Sequence, residues 1–152
     1  MLNKLMLNKL MPPLTHSIFK VMETMFSLTV EEQKKTMAPL QAKESQEGIQ
    51  ASSITFSGSF SGTIFLEIPL NLLKIMTENF LGQSLTHLSE DYMEGTLKEA
   101  LNMIAGDALT QINANTGLGL PEIIPVSSLG QVDQSIRFNT PYGTITAHIR
   151  LA

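Results

Sequence analysis

Between Ser89 and Asn115 the apolar residues Leu97, Leu101, Ile104, Ala108 and Ile112 recur at helical spacing and fall on one stripe. A helix with one apolar stripe must lay it on another layer of structure, so this run constrains everything the rest of the chain can do. At roughly 100° per residue, Glu99, Asn102 and Gly106 point away from the stripe, and Gly95 lies on the same outward face. A glycine inside a helix costs about 1 kcal/mol relative to alanine, and a solvent face has no packing need for a small residue. A carboxylate and an amide flanked by bare backbone make a surface that another protein can approach closely. Ser89 is a good N-cap for this helix, Glu90 and Asp91 suit its dipole, and Gly117 and Gly119 are expected to end it at about Asn115.

The second layer is written in two hairpins. Ile49 to Phe56 and Thr63 to Ile68 are β-branched and aromatic runs separated by Ser57-Gly58-Ser59-Phe60-Ser61-Gly62. Ser135 to Asn139 and Thr144 to Leu151 form a second pair around Pro141-Tyr142-Gly143. In the last strand Ile145, Ala147, Ile149 and Leu151 alternate with Thr146, His148 and Arg150, which predicts one buried and one wet face. Leu14, Ile18, Val21, Met22 and Met25 give a first helix to about Ser27, and Pro69 opens a short helix that Gly82 stops. The polar segment from Val30 to Gln50 reads as a linker with one short edge strand, and Leu120 to Val126, interrupted by Pro121 and Pro125, as another edge strand. The predicted architecture is α+β: a two-layer domain, its antiparallel sheet packed by helices, built from two pseudo-repeated helix-plus-hairpin halves.

Residues 1–13, in which Met-Leu-Asn-Lys-Leu occurs twice before Pro12-Pro13, read as an N-terminal arm outside a domain spanning 14–152. Asn3, Lys4, Asn8 and Lys9 break any hydrophobic core of a signal peptide, and no segment approaches the ~20 apolar residues of a membrane span. The formal charge of −4 argues against nucleic acid or an anionic membrane as the main partner. The absence of cysteine removes thiol catalysis, disulfides and thiolate metal sites, and fits a reducing cytoplasm. His16, His87 and His148 lie far apart without ligand spacing and read as surface histidines; the nine methionines read as core filling. Gly-x-Ser-x-Gly, phosphate-loop and dinucleotide fingerprints are absent. Glu99-x-x-Asn102 is the pattern left standing.

Glu99-Ala100-Leu101-Asn102-Met103-Ile104-Ala105-Gly106-Asp107-Ala108 resembles the Glu-x-x-Asn-x-x-x-Gly-Asn-Ala helix of the CheC/CheX/FliY chemotaxis phosphatases. Phe56-Ser57-Gly58 with Gly62, Leu120-Pro121, Phe138-Asn139-Thr140-Pro141-Tyr142-Gly143 and the helix from Phe19 to Phe26 are similar to other family segments, in the same order over residues 14–152. The resemblance implies a phosphatase acting on the aspartyl phosphate of a CheY-type receiver. Asn102 would position the attacking water, Glu99 would pair with the receiver's lysine, and Ala105 and Gly106 would leave room for the partner. It implies no cofactor of its own, since Mg²⁺ is supplied in the receiver's site, and it implies a homodimer. Two departures stand out. Asp107 replaces the usual Asn and is expected to matter little for catalysis. Glu23-Thr24-Met25-Phe26 stands where two-site members repeat the motif, which implies one site per chain. The alternative implied by the same fold is a non-catalytic module that binds a receiver or a flagellar switch component.

Overall fold

In a computed structural model of the chain, residues 2–33, 48–84, 89–112 and 115–152 are described. Helix α1 (Leu2–Phe26) is followed by strand β1 (Glu31–Glu32), the hairpin β2 (Ile49–Gly58) and β3 (Gly62–Pro69), and helices α2 (Leu70–Leu81) and α3 (Glu90–Gln111). Short strands β4 (Thr116–Leu118) and β5 (Glu122–Ile124) then lead to the hairpin β6 (Gln134–Thr140) and β7 (Gly143–Leu151). The strands form one antiparallel sheet in the order β1-β6-β7-β3-β2-β4, with β5 also on β2. The second strands of the two hairpins, β3 and β7, pair with each other, Ile64 opposite Ile149. That pairing, with α1 packed along α3, joins the two halves about the middle of the sheet.

The core lies between the helices and one sheet face. Leu14 and Ile18 of α1, Leu72 of α2, and Leu97 and Leu101 of α3 meet Ile64, Phe138 and Ile149, all buried. Burying each such side chain stabilises the fold by about 1.5–3 kcal/mol, which is why the stripe on α3 dictates its orientation. Pro69 and the left-handed Gly82 bound α2 as expected, and Ser89 caps α3 by accepting the Tyr92 N–H.

Four expectations are corrected. First, Pro12-Pro13 does not end an arm: α1 runs through both prolines, and Leu10, at 0% exposure, belongs to the core. Leu10, Leu14, Ile18 and Val21 keep helical spacing across the break, so burial offsets the lost hydrogen bonds. The carbonyls robbed of donors are those of Asn8 and Lys9, whose exposed positions let water satisfy them. Second, α3 stops at Gln111 and Gly117 is a strand residue, because Thr116–Leu118 pairs with Phe56–Gly58. Gly58 makes that approach possible: with φ +141°, a Cβ there would sit 2.2 Å from the Asn115 carbonyl oxygen. Third, the strand expected over 120–126 is confined to Glu122–Ile124, and a 3-10 turn at Val126–Ser128 follows.

Fourth, the second face of β7 is not wet. Thr146 is only 6% exposed, and Ala51, Phe65 and Leu129 form a smaller apolar cluster against which Ile124, Val126 and Val132 pack. Arg150 stacks over Phe65 at 4.7 Å and donates to the Leu129 carbonyl at 2.8 Å. His148, expected at the surface, instead links Ser135 Oγ at 2.6 Å to Glu67 Oε1, tying β6, β7 and β3 together. The edge strand expected within 30–50 is β1, paired with β6. Most of that linker, and His87, lie outside the described residues.

Candidate functional site

The outward face of α3 is built by its inward one. Leu97, Ala100, Leu101, Ile104, Ala105 and Ala108 are buried, which leaves Gly95, Glu99 and Asn102 facing solvent. Glu99 and Asn102 are separated by about 4.5 Å along the axis and about 60° around it, so both side chains project from one ridge. Neither makes a side-chain hydrogen bond or ion pair among the described residues, whereas Asn79 donates to the Phe26 carbonyl and Asn139 accepts from Gln33 and Thr144. Among the described residues, nothing beyond the helix's own adjacent backbone lies within 4 Å of where a Gly95 Cβ would be, so the helix is bare there on the N-terminal side of Glu99. Glu90, Asp91, Glu94 and Glu99 against Lys98 make the first half of the helix acidic.

Two of the residues assigned to partner docking are placed otherwise. Ala105 is 0% exposed and faces the core, since it lies one turn from both Leu101 and Ala108, and it cannot meet a partner. Its small side chain serves packing within this chain. Gly106 shares the ridge with Glu99 and Asn102 but is half-buried, because Leu118 lies over it with Cδ1 3.7 Å from the place of a Cβ. The room left by this glycine is taken by the chain's own β4. The Glu99–Asn102 ridge is therefore open on its Gly95 side and bounded on its Gly106 side by an apolar side chain that periodicity within α3 could not reveal.

Asp107 looks along α3 toward α1. It accepts from Ser17 Oγ at 2.6 Å, Lys20 Nζ at 3.1 Å and Gln111 Nε2 at 2.8 Å. The Ser17 hydroxyl, helped by Lys20 and Gln111, holds its carboxyl below the usual aspartate range against the opposing effect of burial. Sequence reasoning saw a side-facing residue and missed this contact, whose only local signal is the Asp107/Gln111 spacing of one turn. Among the described residues, no three His, Cys, Asp or Glu side chains gather as a metal site, and no helix is long and apolar enough to cross a membrane.

The profile of the family described as Chemotaxis phosphatase CheX matches residues 51–136. No curated protein matches this chain. Among solved structures, the chemotaxis protein CheX from Vibrio vulnificus superposes with a TM-score of 0.72 at 19% identity, covering 94% of this chain and 96% of its own. A chain of the CheX–CheY–BeF3–Mg²⁺ complex from Borrelia burgdorferi gives 0.75 at 15% identity over 93% and 96%. Thermotoga maritima FliY gives 0.64 at 13% identity over 97% and 88%. These structural likenesses are of fold. The profile match spans more than half of the 152 residues and includes all of α3 with Glu99 and Asn102, and the chain belongs to the CheX family.

Proposed function

We propose that this protein is a phosphatase for the aspartyl phosphate of a CheY-type receiver domain, working through the outward ridge of α3. The observation that carries this reading is that Glu99 and Asn102 stand exposed, on one face of a packed helix, with no partner in their own chain among the described residues. An acyl phosphate is already reactive, so what a catalyst must add is a held water in line with phosphorus. The Asn102 amide can both donate to and accept from that water. Water's oxygen attacks phosphorus, the bond to the receiver's aspartate oxygen breaks, and inorganic phosphate leaves with the aspartate carboxylate restored. Glu99, one turn away, pairs with the receiver's lysine and sets the approach. Mg²⁺ belongs to the receiver's site, and the chain supplies no cofactor. We assign one such site to each chain, working in the cytoplasm within a homodimer. That a related fold is found in a CheX–CheY–BeF3–Mg²⁺ complex supports a receiver as the partner.

The test is decay of a radiolabelled phospho-receiver, taken from the same genome, with and without the protein. Shortened lifetime with wild type and none with Asn102→Ala is expected. Binding of the phospho-receiver without any shortening would replace this reading with the non-catalytic module. No binding to any receiver would remove both.

A further inference from the structure

A glycine inside a helix needs a reason, and Gly95 has none within the described part of its own chain. It lies more than a turn inside α3, so it is not a cap. Its backbone lacks the positive φ that calls for glycine at Gly58 and Gly82. No neighbouring element comes within 4 Å of the place of its Cβ, whereas Leu118 lies over Gly106. Gly117 is as open, but it adjoins Leu118 in a strand and so points to the opposite face of the sheet. Alanine would hold the helix better at Gly95, so stability is forgone there without an internal gain. Such a loss is characteristic of positions that serve a function.

The bare turn is a notch in the ridge. Gly95 lies about 20° from Asn102 around the helix axis and about 10 Å before it, with Glu99 one turn away. On its other side stands Tyr92, 56% exposed, whose side chain makes no hydrogen bond or ring contact among the described residues. At a glycine a second chain can come closer to the helix backbone than any side chain would allow. We infer that Gly95 is the specificity-determining position of the docking surface: its missing side chain seats a segment of the receiver's chain between Tyr92 and Glu99, which lets Asn102 reach the phosphoryl group. This rests on the function proposed above and adds to it the position that decides which partners can approach. Charge disfavours a second copy of this chain as the occupant. Asp91 and Glu99 are both exposed, one turn to either side of Gly95. A twofold contact of antiparallel helices centred on Gly95 would set Asp91 of each copy against Glu99 of the other.

A size series at Gly95 tests this by calorimetry with a receiver from the same genome, activated by beryllofluoride and Mg²⁺. Each variant is also taken through the decay assay, urea unfolding and sedimentation. Gly95→Ala is expected to unfold at a higher urea concentration than wild type and yet to bind about threefold more weakly. Gly95→Leu is expected to bind at least about tenfold more weakly, with the loss appearing in KM rather than kcat. Lys74→Leu, which puts the same side chain on the exposed face of α2, is expected to bind as wild type does. Wild-type affinity in both Gly95 variants, with Asn102→Ala still inactive, overturns the inference and leaves the proposed function standing. Gly95→Ala less stable than wild type would reveal a constraint inside the chain and overturns the inference too. A wild type that binds no receiver overturns both readings. Conversion of a dimer to a monomer by Gly95→Leu assigns the notch to a self-contact and overturns the inference.

Discussion

Helices α1 and α3 carry the same rhythm of burial with different chemistry on their outer faces. Leu14, Ile18 and Val21 on α1 are spaced and buried as Leu97, Leu101 and Ile104 are on α3. In that register the place of Glu99 falls on His16, that of Asn102 on Phe19 and that of Gly106 on Glu23. The sequence match of Glu23 and Phe26 to Glu99 and Asn102 is therefore out of step with the packing. Phe26 is a core residue, tilted against Phe80 at 5.8 Å. Phe19 stands instead where an amide would have to be, half-buried with its ring edge-on to Phe138 at 5.4 Å. A duplicated frame preserves the inward positions, because both helices must pack on one sheet. Nothing in packing preserves the outward ones, so the chemistry of one helix can be absent from the other.

The largest effect that would break this comparison is on the buried side. Phe26→Ala is expected to cost about 3–5 kcal/mol in urea unfolding, as removal of a fully buried aromatic does. A loss under about 1 kcal/mol would return Phe26 to the outer face and restore the sequence match. Next is the exposed side: Asn102→Ala is expected to lower receiver dephosphorylation at least about 100-fold while shifting stability by less than about 0.5 kcal/mol. A large drop in melting temperature would make Asn102 a packing residue. Then comes the seam between the two helices. Asp107→Ala is expected to cost about 2 kcal/mol at neutral pH, since a charged acceptor is lost and buried Ser17 is left short of a partner. Because the folded carboxyl lies below its unfolded value near 3.9, its stabilisation is fully present above that pH and fades as pH falls through the lower folded value. The difference between variant and wild type should narrow in unfolding measured near pH 3 relative to pH 7. The smallest effect is the sharpest test of the register. Combining His16→Glu, Phe19→Asn and Glu23→Gly is expected to raise the rate per chain by no more than about twofold, the limit for two independent equal sites. The same substitutions placed on the Glu23-to-Phe26 register should only destabilise.

What was legible in the sequence is what one element decides by itself. The stripe on α3, the caps of α2 and α3, and the alternation in the hairpins are local, so periodicity found them, and with them the exposure of Glu99 and Asn102. What was misread depends on a second segment folding back. Thr146 and His148 alternate like wet residues, and only the packing of Ile124, Val126 and Leu129 over Phe65 encloses that face. Gly106 looked open because β4, which covers it, lies beyond the end of its own helix. Pro12-Pro13 reads locally as a stop because two lost hydrogen bonds are a local cost, whereas the burial of Leu10 that outweighs them is set by the rest of the core. Ala105 sits beside Gly106 in the sequence, but its own angle around the helix, one turn from Leu101 and Ala108, turns it to the core.

The place of β7 has a consequence for how the molecule is made. It follows every other strand in the sequence and yet lies inside the sheet, hydrogen-bonded to β6 on one side and to β3 on the other. During synthesis α1, both strands of the first hairpin and the whole of α3 emerge before the strand that joins the halves. Until residues 143–151 are available, β3 presents an unpaired edge and the apolar stripe of α3 faces a sheet half its final width. Distant pairing of this kind slows folding and prolongs exposure of sticky surface, so the chain should depend on its last hairpin closing quickly. The tight turn at Pro141-Tyr142, in which Thr140 Oγ1 accepts the Tyr142 N–H at 3.0 Å and donates to the Gly143 carbonyl at 2.8 Å, is the local device that shortens that interval.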